Sequence, residues 1–225
     1  MIKKINIAID GPAGSGKSTT AKLLANKLSY NYLDTGATYR AATYLWLQSN
    51  KKEIIEFENI FNNAIIEIKF DNFKQFTYLN NEDISEDIRM PDVTANVSYI
   101  SSLGFVREKL VGLQRDFSKS KGVVVDGRDI GTVVLPDAEL KIYLVASIEE
   151  RARRRALELD KMGVKVNLNE IKLDIERRDK LDSEREISPL RKAEDAIEVD
   201  TTGMTIGDQV NFIYELGLKV INGSI

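Results

Sequence analysis

Short apolar runs recur along the chain at Ile5 to Ile9, Tyr32-Leu33, Val123 to Val125, Leu140 to Ala146 and Ala196 to Val199. Between them lie longer stretches of helical period. Ala21, Leu24, Ala25 and Leu28, for example, recur at i, i+3, i+4 and i+7, the spacing of an amphipathic helix. Strands alternating with helices predict an α/β fold: a mainly parallel sheet with helices on both faces. Several of the runs end in an acid, at Asp10, Asp34, Asp126 and Asp200. In open sheets of this kind ligands bind outside the carboxyl ends of the strands, so these acids are candidates to face a ligand crevice.

Two regions depart from this pattern. In residues 63–90, Ile66, Ile68 and Phe70 alternate with Glu67 and Lys69, an Asp71-Asn72 turn follows, and a second alternating run extends from Phe73 to Leu79. This predicts a small antiparallel insert. Residues 147–185 carry Arg151, Arg153, Arg154, Arg155, Arg177, Arg178 and Arg185. Ser147 and Glu150 have the spacing of a capping box that starts a helix. On charge pattern alone the region reads as a solvated helical face laced with ion pairs to Glu149, Glu150 and Glu158.

Composition narrows the chemistry. The chain has 225 residues, 43% apolar and 30% charged, the balance of a globular protein of one domain with small insertions. The net charge of −3 gives no overall basic footprint for nucleic acid. There is neither cysteine nor histidine. Thiolate chemistry and the commonest general base are therefore excluded, and catalysis has to run on Lys, Arg, carboxylates, hydroxyls, backbone amides and a hard metal held by oxygen. Met1-Ile2-Lys3-Lys4 leads directly into the first strand-like run, without the apolar stretch of a signal peptide. No run of about 18 apolar residues exists, so no membrane association is expected and the cytoplasm is the expected location.

The segment GPAGSGKS, Gly11 to Ser18, matches G-x-x-x-x-G-K-[ST] at every fixed position, with a strand before it and an amphipathic helix after it. Gly11, Gly14 and Gly16 let the backbone curl so that successive amides point at phosphate oxygens. The helix beginning near Lys17 adds its N-terminal dipole. Lys17 supplies a point charge beside the β and γ phosphates, and the Ser18 hydroxyl is a Mg²⁺ ligand. GTP-dependent switches share this loop but carry an Asn-Lys-x-Asp motif. Neither Asn26-Lys27 nor Asn50-Lys51 continues that way.

Three further constellations favour phosphoryl transfer to a small molecule. LDTGATYR, Leu33 to Arg40, follows the second strand and offers Thr35, Tyr39 and Arg40. VVVDGRDIGT, Val123 to Thr132, delivers Asp126, Arg128 and Asp129 from a buried strand, a placement that is costly unless these charges have partners. RRDKLDSER, Arg177 to Arg185, puts Arg178, Asp182 and Arg185 at i, i+4 and i+7, on one helical face.

Taken together, GPAGSGKST, LDTGATYR, DGRDIGTVVLPDA, SIEERARRR and SPLRKAEDAIEVDTT resemble the bacterial cytidylate kinase family over essentially the whole chain. The resemblance implies a P-loop NTPase-type fold: a five-stranded parallel sheet, an extended monophosphate-binding region over 36–105 that includes the insert at about 63–90, and an Arg-rich helical lid over 147–185. It implies ATP with Mg²⁺ as donor, bound by Gly11, Pro12, Ala13, Gly14, Ser15, Gly16, Lys17, Ser18, Thr19 and Arg154. The acceptor CMP or dCMP would be bound by Thr35, Tyr39, Arg40, Ser98, Arg107, Arg128, Asp129, Arg178, Asp182 and Arg185. Lys17, Arg128, Arg178 and Arg154 are the implied catalytic residues, Ser18 the metal ligand, and Arg151, Arg154 and Arg155 the lid arginines. A monomer is expected. One departure is Thr38, where the family usually has Met or another apolar residue.

The missing histidine fits this chemistry. The acceptor would be a phosphate oxygen, largely ionised at neutral pH (second pKa about 6), which needs no base. The barrier is the approach of two anions, and positioned cations lower it. Two other readings remain open from the residues alone: a P-loop kinase for another acceptor such as UMP, AMP or an alcohol, and a nucleotide-binding module without catalysis.

Overall fold

The computed structural model describes residues 3–50, 52–161, 163 and 167–223. Five parallel strands form its centre. They are β1 (Asn6–Asp10), β2 (Asn31–Asp34), β6 (Val123–Asp126), β7 (Leu140–Val145) and β8 (Ile197–Asp200), in the order β2-β6-β1-β7-β8. The apolar runs become strands because both sheet faces are covered. Ile7, Ile9 and Val124 point into one cluster with Ala21, Leu24 and Ile213, from α1 (Lys17–Leu28) and α8 (Ile206–Ile221). The alternate residues Ala8, Val123 and Val125 point the other way, toward Val111 of α5 (Gly104–Ser118) and Val134. Chain order reverses on the two sides of β1, so a crevice opens at the carboxyl ends beside it.

A second cluster sits beyond β2. It gathers α2 (Thr35–Gln48), α3 (Ile54–Asn63), α4 (Pro91–Ile100) and part of α5 around Phe57 and Phe61. The insert is the three-stranded antiparallel sheet β3 (Ile66–Asp71), β4 (Lys74–Leu79) and β5 (Glu82–Asp83). Its first turn differs from the expectation by one residue. Asn72 and Phe73 both take positive φ, so the second strand begins at Lys74 and not at Phe73. On the other flank α6 (Ile148–Lys161) and α7 (Leu168–Glu184) pack through Ala152, Ile171 and Ile175. The capping box forms only in half. Ser147 Oγ accepts the Glu150 amide at 3.2 Å, but the Glu150 carboxylate turns to Arg153 and Arg154 because two cations lie within its reach.

Gly11 fixes where the chain leaves β1. Its φ is +146°, and a Cβ there would stand 2.1 Å from the Leu144 carbonyl oxygen. Gly11→Ala is expected to cost more than about 2 kcal/mol, through a clash with backbone that cannot yield. Urea denaturation reads this directly, and an unchanged midpoint would contradict it.

Candidate active site

The crevice at the carboxyl ends of the strands encloses about 640 Å³. Its floor is the loop between β1 and α1. Gly16 takes φ +94° and leads straight into the first turn of α1, so the loop and the helix N-terminus border one volume. Ala13, Gly14, Gly16, Lys17, Ser18 and Thr19 line it, whereas Gly11, Pro12 and Ser15 do not. Those three work from behind. Gly11 packs on β7, and the Lys17 ammonium donates to the Pro12 carbonyl at 2.6 Å and to Ser15 Oγ at 3.3 Å. Lys17 is buried, and burial followed by the neighbouring Arg128 holds its pKa well below the ordinary lysine value.

The acids that end the strands divide by role. Asp34 and Asp126 line the crevice, while Asp10 and Asp200 do not. The Asp200 carboxylate caps the Thr202 amide at 2.9 Å. Asp10 faces inward, accepting the amides of Ile130 and Gly131 at 2.8 Å each. It thereby holds the start of a π-helical turn, Ile130–Val134, directly after Asp129. Burial pushes the Asp10 carboxyl up to about 6. The Asp126 carboxylate takes the Ser18 hydroxyl at 2.7 Å and the Tyr32 hydroxyl at 2.8 Å. Burial and then Asp34 raise its pKa.

At the opposite end Asp129 is buried between two guanidiniums. Arg107 donates to its Oδ2, and Arg185 approaches Oδ1 at 3.6 Å. Arg107 also lies over the Tyr39 ring, 5.2 Å from its centre, and its Nε is buried without a hydrogen-bond partner. Arg128 is held by Asp182 at 2.7 Å, the partner that its position at a strand end demands. Thr35, Tyr39, Arg40, Ser98, Arg178 and Asp182 line the same volume. Burial, with Arg128 next to it, lowers the pKa of Arg178. Arg178 and Asp182 share a face of α7. Arg185, expected on the same helical face, instead lies just past the helix end in extended backbone (φ −61°, ψ 140°).

Thr38 is fully buried, accepting from Gln114 at 3.0 Å and donating to the Thr35 carbonyl at 2.7 Å. The departure therefore does not face the crevice.

The arginines of 147–185 separate as well. Arg154 lines the crevice and donates to the carbonyls of Ser15 at 3.2 Å and Thr201 at 2.6 Å. Arg155 lines the crevice too and pairs with Glu158 at 3.1 Å. Arg151 departs from the expected lid role. It does not line the crevice, because its guanidinium is taken up by the carbonyls of Ala13 and Ala146 and by Asp179. Asp179 in turn accepts the Ala13 amide at 3.0 Å. Met204, Thr205 and Ile206 complete the wall near Gly16 and Arg154. The sequence reading passed over them, as it did Tyr32, Asp179 and the inward role of Asp10. The signal for the first three was their place directly after the last strand.

A parallel sheet of this order, with a phosphate loop after its central strand and a cationic crevice at its carboxyl edge, defines a P-loop kinase fold. A crystal structure of an uncharacterized protein from Eubacterium ventriosum shares that fold at a TM-score of 0.53. It is 14% identical and covers 95% of this chain and 98% of its own. The cytidylate kinase family model matches residues 7–217. A cytidylate kinase of Bacillus cereus (strain G9842) is 51% identical over 221 residues, 96% of this chain and 97% of its own length. One from Caldicellulosiruptor saccharolyticus is 50% identical over 226 residues, the full length of both. The chain belongs to the cytidylate kinase family.

Proposed function

We propose that this chain transfers the γ-phosphoryl group of ATP to CMP or dCMP, releasing ADP and CDP or dCDP. Family membership over the full length and one observation on the site carry the reading. The phosphate loop with its Lys17 and a buried Asp129–Arg107–Arg185 cluster line one crevice, and Arg128 lies near Lys17 on the same lining. ATP lies along Gly11 to Thr19, its base end toward Arg154 and Met204 to Ile206. The cytosine end of the acceptor meets Ser98, Arg107, Asp129 and Arg185, and its phosphate meets Arg40, Arg128 and Arg178. Thr35, Tyr39 and Asp182 complete that side.

In the reaction an acceptor phosphate oxygen attacks the γ-phosphorus in line, and the bond from that phosphorus to the β-bridging oxygen breaks. No proton has to be removed from the attacking oxygen. Lys17, Arg128, Arg178 and Arg154 offset the charge of the two anions and hold them in register. Arginine suits the task because its planar fork binds phosphate through two donors and stays charged.

Mg²⁺ accompanies the donor. Ser18 Oγ and the Asp126 carboxylate form the oxygen pair that a hard cation accepts. Among the described residues no cluster of three or more acidic or metal-ligating side chains exists, so nucleotide phosphates and water would fill the other positions. Bound there, the ion would neutralise charge on the β and γ phosphates.

An alcohol acceptor would need a free carboxylate as base. Asp129, the candidate for that role, is engaged by two arginines. Among the described residues no helix is long and apolar enough to cross a membrane. We take the enzyme as a cytoplasmic monomer. A steady-state assay of ADP release with CMP, dCMP, UMP and AMP tests the assignment. CMP and dCMP should be turned over with the highest kcat/KM. Preference for AMP, or hydrolysis without transfer, would overturn it.

A further inference from the structure

The antiparallel insert meets the parallel sheet at the edge of β2, and one side-chain amide makes the polar part of that contact. On its inner side Asp34, the last residue of β2, is paired with Asp126 of β6. From the insert, Gln75 of β4 answers both polar groups of the Asp34 backbone. The Asp34 amide donates to Gln75 Oε1 at 2.8 Å, and Gln75 Nε2 donates to the Asp34 carbonyl at 3.3 Å. A carboxamide thus takes the place that a peptide unit of a further strand would occupy.

A second contact from the same side reaches the Asp34 carboxylate. Arg89, in the short 3-10 turn that follows the insert (Asp87–Arg89), donates to Oδ2 at 2.9 Å. The other oxygen, Oδ1, caps α2 by accepting the Ala37 amide at 3.0 Å and stands 3.9 Å from Arg40. Asp34 is therefore a joint. Its backbone is held from the insert and one carboxylate oxygen from the turn after it, and its other oxygen starts the helix that carries Thr35, Tyr39 and Arg40. Asp34, Thr35, Gly36 and Arg40 all line the crevice, whereas Gln75 does not.

We infer that Gln75 is a positioning residue for the acceptor: it sets the Asp34–Arg40 segment through Asp34, and Arg89 assists. The inference rests on the reading that this end of the crevice takes the nucleoside monophosphate. The donor loop lies on the other side of β6 from β2, so the effect should fall on one substrate only.

Gln75→Met keeps the length of the side chain and removes both hydrogen bonds. It should raise KM for CMP by about fivefold or more, on the scale of one to two lost neutral hydrogen bonds, with KM for ATP within about twofold of the wild type. Arg89 is exposed, so Arg89→Ala tests the same joint without burdening the fold. It should move KM for CMP in the same direction by a smaller factor. Wild-type turnover of CMP is measured first, and its failure would sink the acceptor assignment itself. Given normal wild-type turnover, unmoved CMP constants in both variants, or equal changes for CMP and ATP, would overturn the role of Gln75.

Discussion

Lys17→Ala lowers kcat by more than about 100-fold while the protein stays folded. The size follows from the role proposed for the ammonium, since losing one preorganised contact to transition-state charge costs about 2.7–4 kcal/mol. Lys17 is preorganised here. It is buried, and its Nζ is held at 2.6 Å by the Pro12 carbonyl, inside the loop that receives the phosphates. A charge anchored by neutral oxygens needs no rearrangement before it meets an anion, and it loses no paired carboxylate when removed. Truncation should therefore spare the fold and strike the chemistry. Steady-state kinetics beside a thermal melt separate the two, and near-normal turnover in a folded variant would remove Lys17 from the mechanism.

Asp129→Asn weakens CMP by more than about tenfold and leaves ATP within about twofold. Asparagine is the informative substitution. Alanine would strand Arg107 and Arg185 together in a buried site, and breaking a buried pair that way costs about 3–5 kcal/mol for reasons unrelated to the ligand. Asparagine keeps the shape and one acceptor while removing the charge that orders the two guanidiniums. Arg107 holds a fixed pose, over the Tyr39 ring and donating to the Ser101 carbonyl at 3.2 Å, and the proposed cytosine site uses it in that pose. Titration with each nucleotide reads the split. Equal losses for both would make Asp129 a fold residue.

The inner strands β1, β6 and β7 were legible because each is an apolar run largely buried on both faces, and the edge strands β2 and β8 because a shorter apolar run ends in an acid. The insert was legible because Ile66, Ile68 and Phe70 alternate with polar residues. The floor of the site was equally plain, since Gly11 to Ser18 is a contiguous motif. Contacts distant in sequence were hidden. Asp10 meets Ile130 and Gly131 across 120 residues, and nothing local distinguishes it from Asp34, which does face the crevice. Arg151 and Arg154 are three residues apart in the same basic run, yet one ties Ala13 to Asp179 and the other reaches the crevice. A charge pattern gives the side of a helix but not what the other elements bring to it. Arg185 shows the same limit at an element boundary. The i+7 spacing assumed that α7 reaches Arg185, and it ends one residue earlier, at Glu184.

The inward carboxylate of Asp10 has a thermodynamic consequence. In the unfolded chain this acid titrates near 3.8, and in the native state near 6. Between those values the native protein keeps a proton that the unfolded chain has already released. Its contribution to stability therefore falls as pH rises through that window, by about 3 kcal/mol in all, and is level above it. Urea midpoints should fall from pH 5 to pH 7 in the wild type and by less in Asp10→Asn. At neutral pH, then, the carboxylate that holds the turn directly after Arg128 and Asp129 works against the fold. Part of the molecule's resistance to unfolding is given up to hold in place the turn that follows Asp129.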